Sequence, residues 1–288
     1  MFWVNGEYRD EPQTLDIADR GFLLGDGLFE TILVRNGVGA FLDQHMARLW
    51  IGLEALKIPA PKLPDLDQII ARLADSCAPG CDGVARFTIS RGVSGRGLVF
   101  EPTNENYPTM LLTVRPLAKR STAPMFVKIS SFCRPEKSVA ARHKTLNYLD
   151  NILARNEAAA EGFDEAIMLN GLGRIACASV ANVFIIDKHG VISTPPINEG
   201  ALPGIVREKI LEAGSQIGLS VSEAPLEVSD LGRNFVFLTN SLIGLRQASV
   251  EEQAKGQGVS SAVETFQRLQ SWYDTCLSEN VAKKAGNS

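Results

Sequence analysis

The chain has 288 residues, of which 45% are hydrophobic and 22% charged, and this composition excludes a disordered, collagen-like or coiled-coil protein. Twenty-nine basic residues against 33 acidic ones give a formal net charge of -4, so the overall charge does not favour binding to nucleic acid or an anionic membrane. The 5 cysteines and 3 histidines are scattered, which predicts neither a disulfide framework nor a metal site. With neither a signal-peptide pattern nor a long apolar run, the sequence favours a cytoplasmic protein without a membrane span.

The first half of the chain is predicted to form a sheet with helices on one side. Asn5-Gly6 and Asn36-Gly37 are strong β-hairpin signals, because both residue types adopt positive φ at low cost. Apolar residues recur at helical spacing after residue 41 and again after residue 66. The predicted elements are strands at residues 2–5, 28–35, 84–90 and 109–114 and helices at 41–57 and 66–73.

Residues 115–124 lose this periodicity and carry prolines near both ends, which predicts a linker. We therefore expect a smaller domain at residues 1–118 and a larger one at 119–288. The second domain is predicted to contain strands at 125–130, 165–169, 181–186, 191–193 and 234–239, helices at 145–160, 205–217 and 260–277, and a frayed end at 283–288. The predicted fold class is α+β.

Lys144 is the first candidate for a catalytic residue. It lies at the start of a predicted helix, two residues after Arg142. The apolar face of that helix is predicted to be Leu146, Leu149, Ile152 and Leu153. A rigid, buried position beside a second cation makes the neutral, nucleophilic amine easier to form, as a Schiff-base lysine requires. A solvated lysine at a helix start explains the same residues.

Two further segments could bind an anion. Pro203-Gly204 directly precedes the predicted helix at 205–217, where open backbone N–H groups and the helix dipole would form an anion cradle. Arg48, on the first predicted helix, could turn its guanidinium toward a phosphate. A plain turn and a surface arginine are the respective alternatives.

The loop at residues 90–97 follows a predicted strand and contains three glycines with Arg91 and Arg96. Such a flexible, cationic segment suits recognition of a substrate carboxylate. A hairpin turn with exposed charges is equally compatible with it. The glycine spacing fits a dinucleotide-binding fingerprint poorly, because no helix entry within a βαβ unit follows it.

Taken together, these segments resemble the class IV, or fold type IV, pyridoxal-phosphate enzymes, which include D-amino-acid and branched-chain aminotransferases and 4-amino-4-deoxychorismate lyases. The likeness runs from about residue 2 to residue 250 and keeps one order along the chain. It rests on residues 19–31, 45–49, 144–147, 164–166, 179–184 and 202–205. The resemblance implies the two-domain fold of these enzymes and a homodimer, with the site between the two domains and close to the partner chain.

The resemblance also implies the roles of individual residues. Lys144 matches the lysine that carries pyridoxal 5'-phosphate and shuttles the proton at the substrate carbon. The phosphate ligands are matched by Arg48, by the backbone of Ile205 and Val206, and by the hydroxyl of Ser241. Phe29 stands where aminotransferases of the family often place a substrate-side tyrosine, although a buried strand phenylalanine explains it equally well.

Two stretches favour a lyase within this family. The loop with Arg91 and Arg96 resembles the lyases' Ser-Arg-Gly-x-x-Gly-Arg-Gly loop, and the segment from Asn240 resembles their Asn-Ser-Leu-x-Gly segment. In that interpretation Arg91 or Arg96 receives a substrate carboxylate and Asn240 assists. Lys144 removes the proton, so that pyruvate leaves and the ring becomes aromatic.

Two residues depart from the family pattern. Phe22 stands where some lyases carry a threonine that acts with the lysine. Cys177 occupies the position of a glutamate that pairs with the pyridine nitrogen of the cofactor, and a thiol there favours a neutral ring and a weaker electron sink. Amino transfer requires the ring to stabilise the carbanion until it is reprotonated at the cofactor carbon, whereas elimination can expel its leaving group as the proton departs. Cys177 therefore favours elimination in our interpretation. Alternatively, Cys177 is a small buried strand residue and another group meets the nitrogen.

The sequence therefore predicts a pyridoxal-phosphate enzyme that acts on a small amino compound. Its leading reaction is that of a 4-amino-4-deoxychorismate lyase. An aminotransferase of D-amino or branched-chain amino acids is the first alternative, and a cofactor-binding protein with weak catalysis is the second.

Overall fold

The computed structural model describes residues 1–10, 15–94, 97–99, 107–119, 121–250 and 260–286. Internal contacts divide the chain into two compact units. The first comprises Met1–Lys119, His143–Asn147 and Leu277–Ser288, and the second comprises Arg120–Arg142 and Tyr148–Cys276. We expected Lys144 to group with the C-terminal part of the chain, whereas its segment groups with the first unit. The predicted division into two domains at residues 118 and 119 stays a prediction.

A six-stranded antiparallel sheet forms the centre of the first unit, in the order β2-β1-β6-β5-β3-β4. Its strands are β1 (Phe2–Val4), β2 (Glu7–Arg9), β3 (Gly27–Arg35), β4 (Val38–Gly39), β5 (Gly83–Ser90) and β6 (Thr109–Pro116). Asn5, Gly6, Asn36 and Gly37 have positive φ, which is the conformation that the two predicted hairpin turns need. Both hairpins are therefore confirmed.

The first helices of the chain are α1 (Arg20–Leu24), α2 (Leu42–Ala55) and α3 (Leu66–Cys77). Of these, α2 and α3 pack on the first sheet to form one core. Leu49 and Leu53 of α2 and Leu73 of α3 are buried together with Phe87 of the sheet. Asp65 caps α3, because its carboxylate accepts a hydrogen bond from a backbone N–H of the first turn. The two helices predicted for this part of the chain are confirmed as α2 and α3.

An eight-stranded mixed sheet forms the centre of the second unit, in the order β12-β11-β10-β13-β14-β7-β8-β9. Its strands are β7 (Met125–Cys133), β8 (Glu165–Leu169), β9 (Ile175–Ala178), β10 (Asn182–Ile186), β11 (Ile192–Thr194), β12 (Val221–Glu223), β13 (Phe235–Asn240) and β14 (Gly244–Val250). The helices are α4 (Val139–Arg142), α5 (Leu149–Ala160), a 3-10 turn (Ile197–Glu199), α6 (Ile205–Ile217) and α7 (Val228–Leu231). Every strand predicted for this part of the chain is present, whereas β9, β12 and β14 were not predicted. The α+β class is confirmed.

The helix predicted at residues 145–160 begins four residues late, at Leu149. Thr145 instead forms a β-bridge with Leu28 of β3, because the segment is extended along that strand. The predicted apolar face is also wrong: Leu149 is 66% exposed and Ile152 52% exposed. The buried residues of α5 are Asn151, Ala154 and Ala158.

The last helix, α8, runs from Ser260 to Ala285, beyond the predicted end at residue 277. Lys284 Nζ forms ion pairs with Asp43 at 3.0 Å and with Asp67 at 3.1 Å. We expected residues 283–288 to form a frayed end. An ion-paired side chain on a helix contradicts this prediction for residues 283–286.

None of the helices within the described ranges has both the length and the apolar content that crossing a membrane needs. In the same ranges, no group of three or more His, Cys, Asp and Glu side chains is placed to hold a metal ion.

Candidate active site

Lys144 is held along strand β3. Its carbonyl oxygen accepts a hydrogen bond from the backbone N–H of Phe29 at 2.9 Å, and the backbone N–H of Leu146 donates to Gly27 O at 2.9 Å. Lys144 Nζ lies 4.3 Å from the centre of the Phe29 ring. The sheet thus supplies the rigid position that the sequence analysis expected from a helix.

Glu30, the residue after Phe29, is a carboxylate buried among core residues. Its Oε2 lies 2.7 Å from Nδ1 of His45, while Nε of Arg48 donates to Oε1 at 2.8 Å and Nη2 donates to Oε2 at 2.5 Å. His45 and Arg48 are one turn apart on α2, so one helix face supplies both partners. We call Glu30, His45 and Arg48 the Glu30 cluster. The predicted phosphate ligand Arg48 is therefore oriented by a buried carboxylate.

The Glu30 cluster is electrostatically compensated. Burial alone would raise the pKa of Glu30, but the charge of Arg48 and the hydrogen bonds from His45 and Arg48 outweigh burial and lower that pKa to about 2. Burial lowers the pKa of His45, and the positive charges of Arg48 and Lys144 act in the same direction. A neutral imidazole next to an ionised carboxylate donates its Nδ1–H to Glu30. At neutral pH the cluster therefore pairs one carboxylate with one guanidinium.

Arg91, a predicted substrate ligand, is buried inside the first unit. Its Nε and Nη2 donate to the carboxylate of Asp26 at 2.8 and 3.1 Å. Its Nη1 donates to Lys57 O and its Nη2 to Leu56 O, both at 2.7 Å. These bonds favour a structural role, and the substrate role of Arg91 stays a prediction. Arg96, the other predicted loop arginine, lies outside the described residues.

Cys177 is buried on β9. Burial raises the pKa of its thiol, which keeps the group uncharged at neutral pH. Arg134 and Glu165 are the charged groups that act on it, in opposite directions. Arg134 donates to the backbone carbonyl of Gly200 at 2.8 Å, and Glu165 forms an ion pair with Arg155 at 2.9 Å. The position where the resemblance implies a carboxylate thus holds a neutral group.

Helix α6 begins at Ile205, and no described side chain caps its first turn. Gly204, which precedes it, lies so close to Asn182 that an added Cβ would meet Oδ1 at 2.0 Å. Asn182 Nδ2 in turn donates to Leu202 O at 2.8 Å. The tight, glycine-lined turn therefore presents the backbone N–H groups of Ile205 and Val206 at the positive end of the helix dipole, as an anion site requires.

Asn240 and Ser241 follow at the end of β13. Because Asn182 pairs with Thr239, this end of β13 lies beside the start of β10. Asn240 Nδ2 donates to Val180 O at 3.1 Å, and its Oδ1 accepts two backbone N–H groups of the next turn. The segments predicted to hold the phosphate, around residues 205 and 241, therefore both lie near Asn182, at one end of the second sheet. The predicted substrate contact of Asn240 stays a prediction, since its amide shapes the turn.

The sequence analysis missed three charged residues near Lys144 and Arg91. Asp26 holds Arg91 and also accepts from Arg20 Nε at 2.8 Å. Glu30 lies on a strand with buried apolar residues on both sides, and a charge at such a position indicates a buried partner. Arg86 Cζ lies 3.8 Å from the centre of the Phe29 ring, which only the pairing of β3 with β5 reveals.

Comparison with known proteins identifies the family. The family model for class IV aminotransferases matches residues 27–250. Aminodeoxychorismate lyase of Bacillus subtilis is 30% identical over 295 residues, covering 100% of this chain and 98% of the relative. A Methanocaldococcus jannaschii protein provisionally named a branched-chain-amino-acid aminotransferase is 31% identical over 234 residues, covering 80% of each chain. The crystal structure of 4-amino-4-deoxychorismate lyase from Pseudomonas aeruginosa is 28% identical, with a TM-score of 0.75 over 93% of this chain and 98% of that chain.

The chain belongs to the class IV aminotransferase family. It is an enzyme, and its predicted fold type IV architecture is confirmed. Membership of this family implies dependence on pyridoxal phosphate.

Each unit, taken by itself, contains a feature that fits that cofactor. In the first unit a lysine fixed along a strand could carry an aldehyde, and in the second unit a helix start lined by Gly204 could hold a phosphate. Cys177 departs from the family pattern, because its neutral thiol stands where the resemblance implies a carboxylate for the ring nitrogen.

Proposed function

We propose that this chain is a cytoplasmic, homodimeric pyridoxal-phosphate lyase that converts 4-amino-4-deoxychorismate to 4-aminobenzoate and pyruvate. The observation that carries this proposal is the likeness to aminodeoxychorismate lyase along the whole length of the chain. The rigid placement of Lys144 supports it, because a proton can be moved efficiently only by a group held at the reacting carbon.

Each residue has a defined task in the proposal. Lys144 holds the cofactor, and its Nζ takes the proton from the ring carbon that bears the amine. Arg48, the backbone of Ile205 and Val206, and the hydroxyl of Ser241 bind the phosphate. The cofactor, when bound, supplies an electron sink for the bond that breaks. Cys177 leaves the ring nitrogen without a carboxylate partner, which favours elimination over amino transfer.

An aminotransferase of branched-chain or D-amino acids is the second candidate. The archaeal relative supports it, since it is provisionally named a branched-chain-amino-acid aminotransferase. A cofactor-binding protein with weak catalysis is the third, and the missing carboxylate at position 177 supports it.

The test is product analysis with the protein loaded with pyridoxal phosphate. We expect equimolar pyruvate and 4-aminobenzoate from aminodeoxychorismate. Formation of glutamate from 2-oxoglutarate with D-alanine or leucine as the donor, with no pyruvate released from aminodeoxychorismate, would instead establish the aminotransferase. A bound cofactor with neither activity would establish the binding protein.

Lys144→Ala provides the decisive variant. We expect it to lose the visible absorbance band of covalently held cofactor and to slow pyruvate release by about a thousandfold or more. Lys188→Ala is the matched control, because Lys188 is an exposed lysine in a turn after β10. Normal turnover by Lys144→Ala would contradict the proposed role of this residue.

A further inference from the structure

Helix α2, which carries His45 and Arg48, begins without a cap of its own. Phe41, the residue before its first turn, has a left-handed backbone with a φ of 53°. A phenylalanine side chain carries no oxygen that could accept a hydrogen bond from the helix start, and positive φ is costly for a bulky residue. The start of α2 therefore depends on contacts from elsewhere in the fold to keep this conformation.

The last turns of α8 supply such contacts. Asn280 Oδ1 accepts a hydrogen bond from the backbone N–H of Phe41 at 2.7 Å. One turn further, Lys284 forms its ion pairs with Asp43 in the first turn of α2 and with Asp67 in the first turn of α3. Asn280 and Lys284 are four residues apart, so one face of α8 carries both. All of these residues belong to the first unit.

A continuous series of hydrogen bonds connects Asn280 with Arg48. The backbone carbonyl of Phe41 accepts from the backbone N–H of His45 at 3.1 Å. His45 Nδ1 lies 2.7 Å from Glu30 Oε2, and Glu30 Oε1 accepts from Nε of Arg48 at 2.8 Å. His45 and Glu30 are almost fully buried, so neither can replace a lost partner with water. A shift of the first turn of α2 must therefore displace the guanidinium of Arg48 as well.

We propose that Asn280 is a positioning residue for binding of the cofactor phosphate, and that Lys284 reinforces it. The inference deepens the proposed function and rests on Arg48 binding the phosphate. Asn280 fixes the entry into α2, α2 fixes Arg48, and a guanidinium binds a phosphate well only when its fork is aimed at the oxygens. Lys284 contributes less, because its partner Asp43 is largely exposed and water screens the pair.

The test measures how strongly the full-length protein prefers pyridoxal 5'-phosphate to pyridoxal, which lacks the phosphate. Equilibrium dialysis with each ligand gives this preference as a ratio of two dissociation constants. We expect Asn280→Ala to reduce it about threefold to tenfold, the size of effect of a lost helix cap, because only the affinity for the phosphate falls. Asn280→Asp keeps an acceptor oxygen and should retain the native preference. Glu279→Ala, at the neighbouring exposed position, is the matched control and should also retain it.

Lys284→Met provides a second, milder variant. We expect it to reduce the preference about twofold, since an ion pair with an exposed carboxylate contributes little. Lys283→Met is its matched control, because Lys283 is exposed and adjacent, and it should leave the preference unchanged. A larger effect in Lys284→Met than in Asn280→Ala would overturn the assignment to Asn280.

Arg48→Gln separates this inference from the proposed function. If Arg48→Gln loses the preference and Asn280→Ala keeps it, or if Asn280→Ala weakens both ligands equally, the inference about Asn280 alone is overturned. An unchanged preference in Arg48→Gln would overturn the phosphate role of Arg48 together with this inference. If the protein releases no pyruvate but the preference depends on both Arg48 and Asn280, the lyase proposal fails and this one stands.

Discussion

The Glu30 cluster and Cys177 are both buried, but the cluster contains ionised side chains whereas Cys177 is a neutral group. In the first unit an ionised carboxylate is buried and paired with Arg48 and His45. In the second unit the strand position at which the resemblance implies a carboxylate carries a neutral thiol, and the start of helix α6, which we propose as a phosphate site, offers only backbone N–H groups. The contact predicted for the phosphate is thus a side-chain charge in the first unit and backbone N–H groups in the second.

The difference shows where this chain is sensitive to substitution. A buried ion pair contributes little net stability, but removal of one partner leaves the other charge unpaired and is costly. A neutral buried thiol carries no such penalty. Loss of a charge should therefore act strongly in the Glu30 cluster, whereas exchange of one neutral group for another should act weakly at Cys177.

Glu30→Gln is expected to have the largest effect on stability. The substitution leaves the guanidinium of Arg48 and the imidazole of His45 beside a neutral amide, and it should lower the free energy of unfolding by about 3 to 5 kcal/mol. Urea unfolding at pH 7 measures this loss. Glu54→Gln, at an exposed position on α2, is the control and should change stability by less than about 0.5 kcal/mol. Equal stability of Glu30→Gln and Glu54→Gln would show that the buried charge of Glu30 matters no more for stability than an exposed one.

Acid should remove most of the stability difference between the native protein and Glu30→Gln. The pKa of Glu30 is lowered to about 2 from an ordinary value of 4.5, so its ionised form stabilises the folded state above pH 4.5 and this contribution is lost as the pH falls toward 2. The shift corresponds to roughly 3 kcal/mol. We expect the stability gap between the native protein and Glu30→Gln to be constant from pH 7 to 5 and to narrow below pH 4.5. A gap that widens in acid would show that Glu30 is not held ionised by its partners.

Gly204→Ala tests the backbone cradle of the second unit. Its Cβ would lie 2.0 Å from Asn182 Oδ1, so that side chain must move, at a cost of about 1 to 3 kcal/mol of folding free energy. We also expect weaker retention of pyridoxal phosphate in equilibrium dialysis. Gly286→Ala is the control, because a Cβ there meets its nearest atom at an ordinary 3.6 Å. Unchanged cofactor affinity in Gly204→Ala would show that the α6 start does not bind the phosphate.

Cys177→Ala should have the smallest effect. One neutral group replaces another, so we expect a loss of about 1 kcal/mol of stability and turnover within threefold of the native rate. Cys177→Glu should raise amino transfer relative to pyruvate release, because it restores a carboxylate at the ring nitrogen. A tenfold loss of turnover in Cys177→Ala would show that the thiol itself takes part in the reaction.

Predictions from sequence succeeded where neighbouring residues determine the structure. Asn5-Gly6 and Asn36-Gly37 form the predicted turns, and helix α6 has the bounds predicted for it, 205–217. They failed where a distant strand competes for the same segment. Thr145 has helical apolar spacing after it but pairs with Leu28, since a backbone bridge to a buried strand outweighs a local propensity.

The sequence alone determined the family, the candidate lysine at position 144, the helix start at 205 that is proposed to bind the phosphate and the unusual thiol at 177, because each is carried by a short run of contiguous residues. Only the tertiary structure decided which charged groups meet. Asp26 accepts hydrogen bonds from the buried Arg91, and Glu30 orients Arg48. The register of β3 with β5 places Arg86 against the ring that Lys144 contacts. The physical reason is that pairing across a sheet or a core joins residues far apart in the chain, and local patterns carry no information about which of several like charges will be buried.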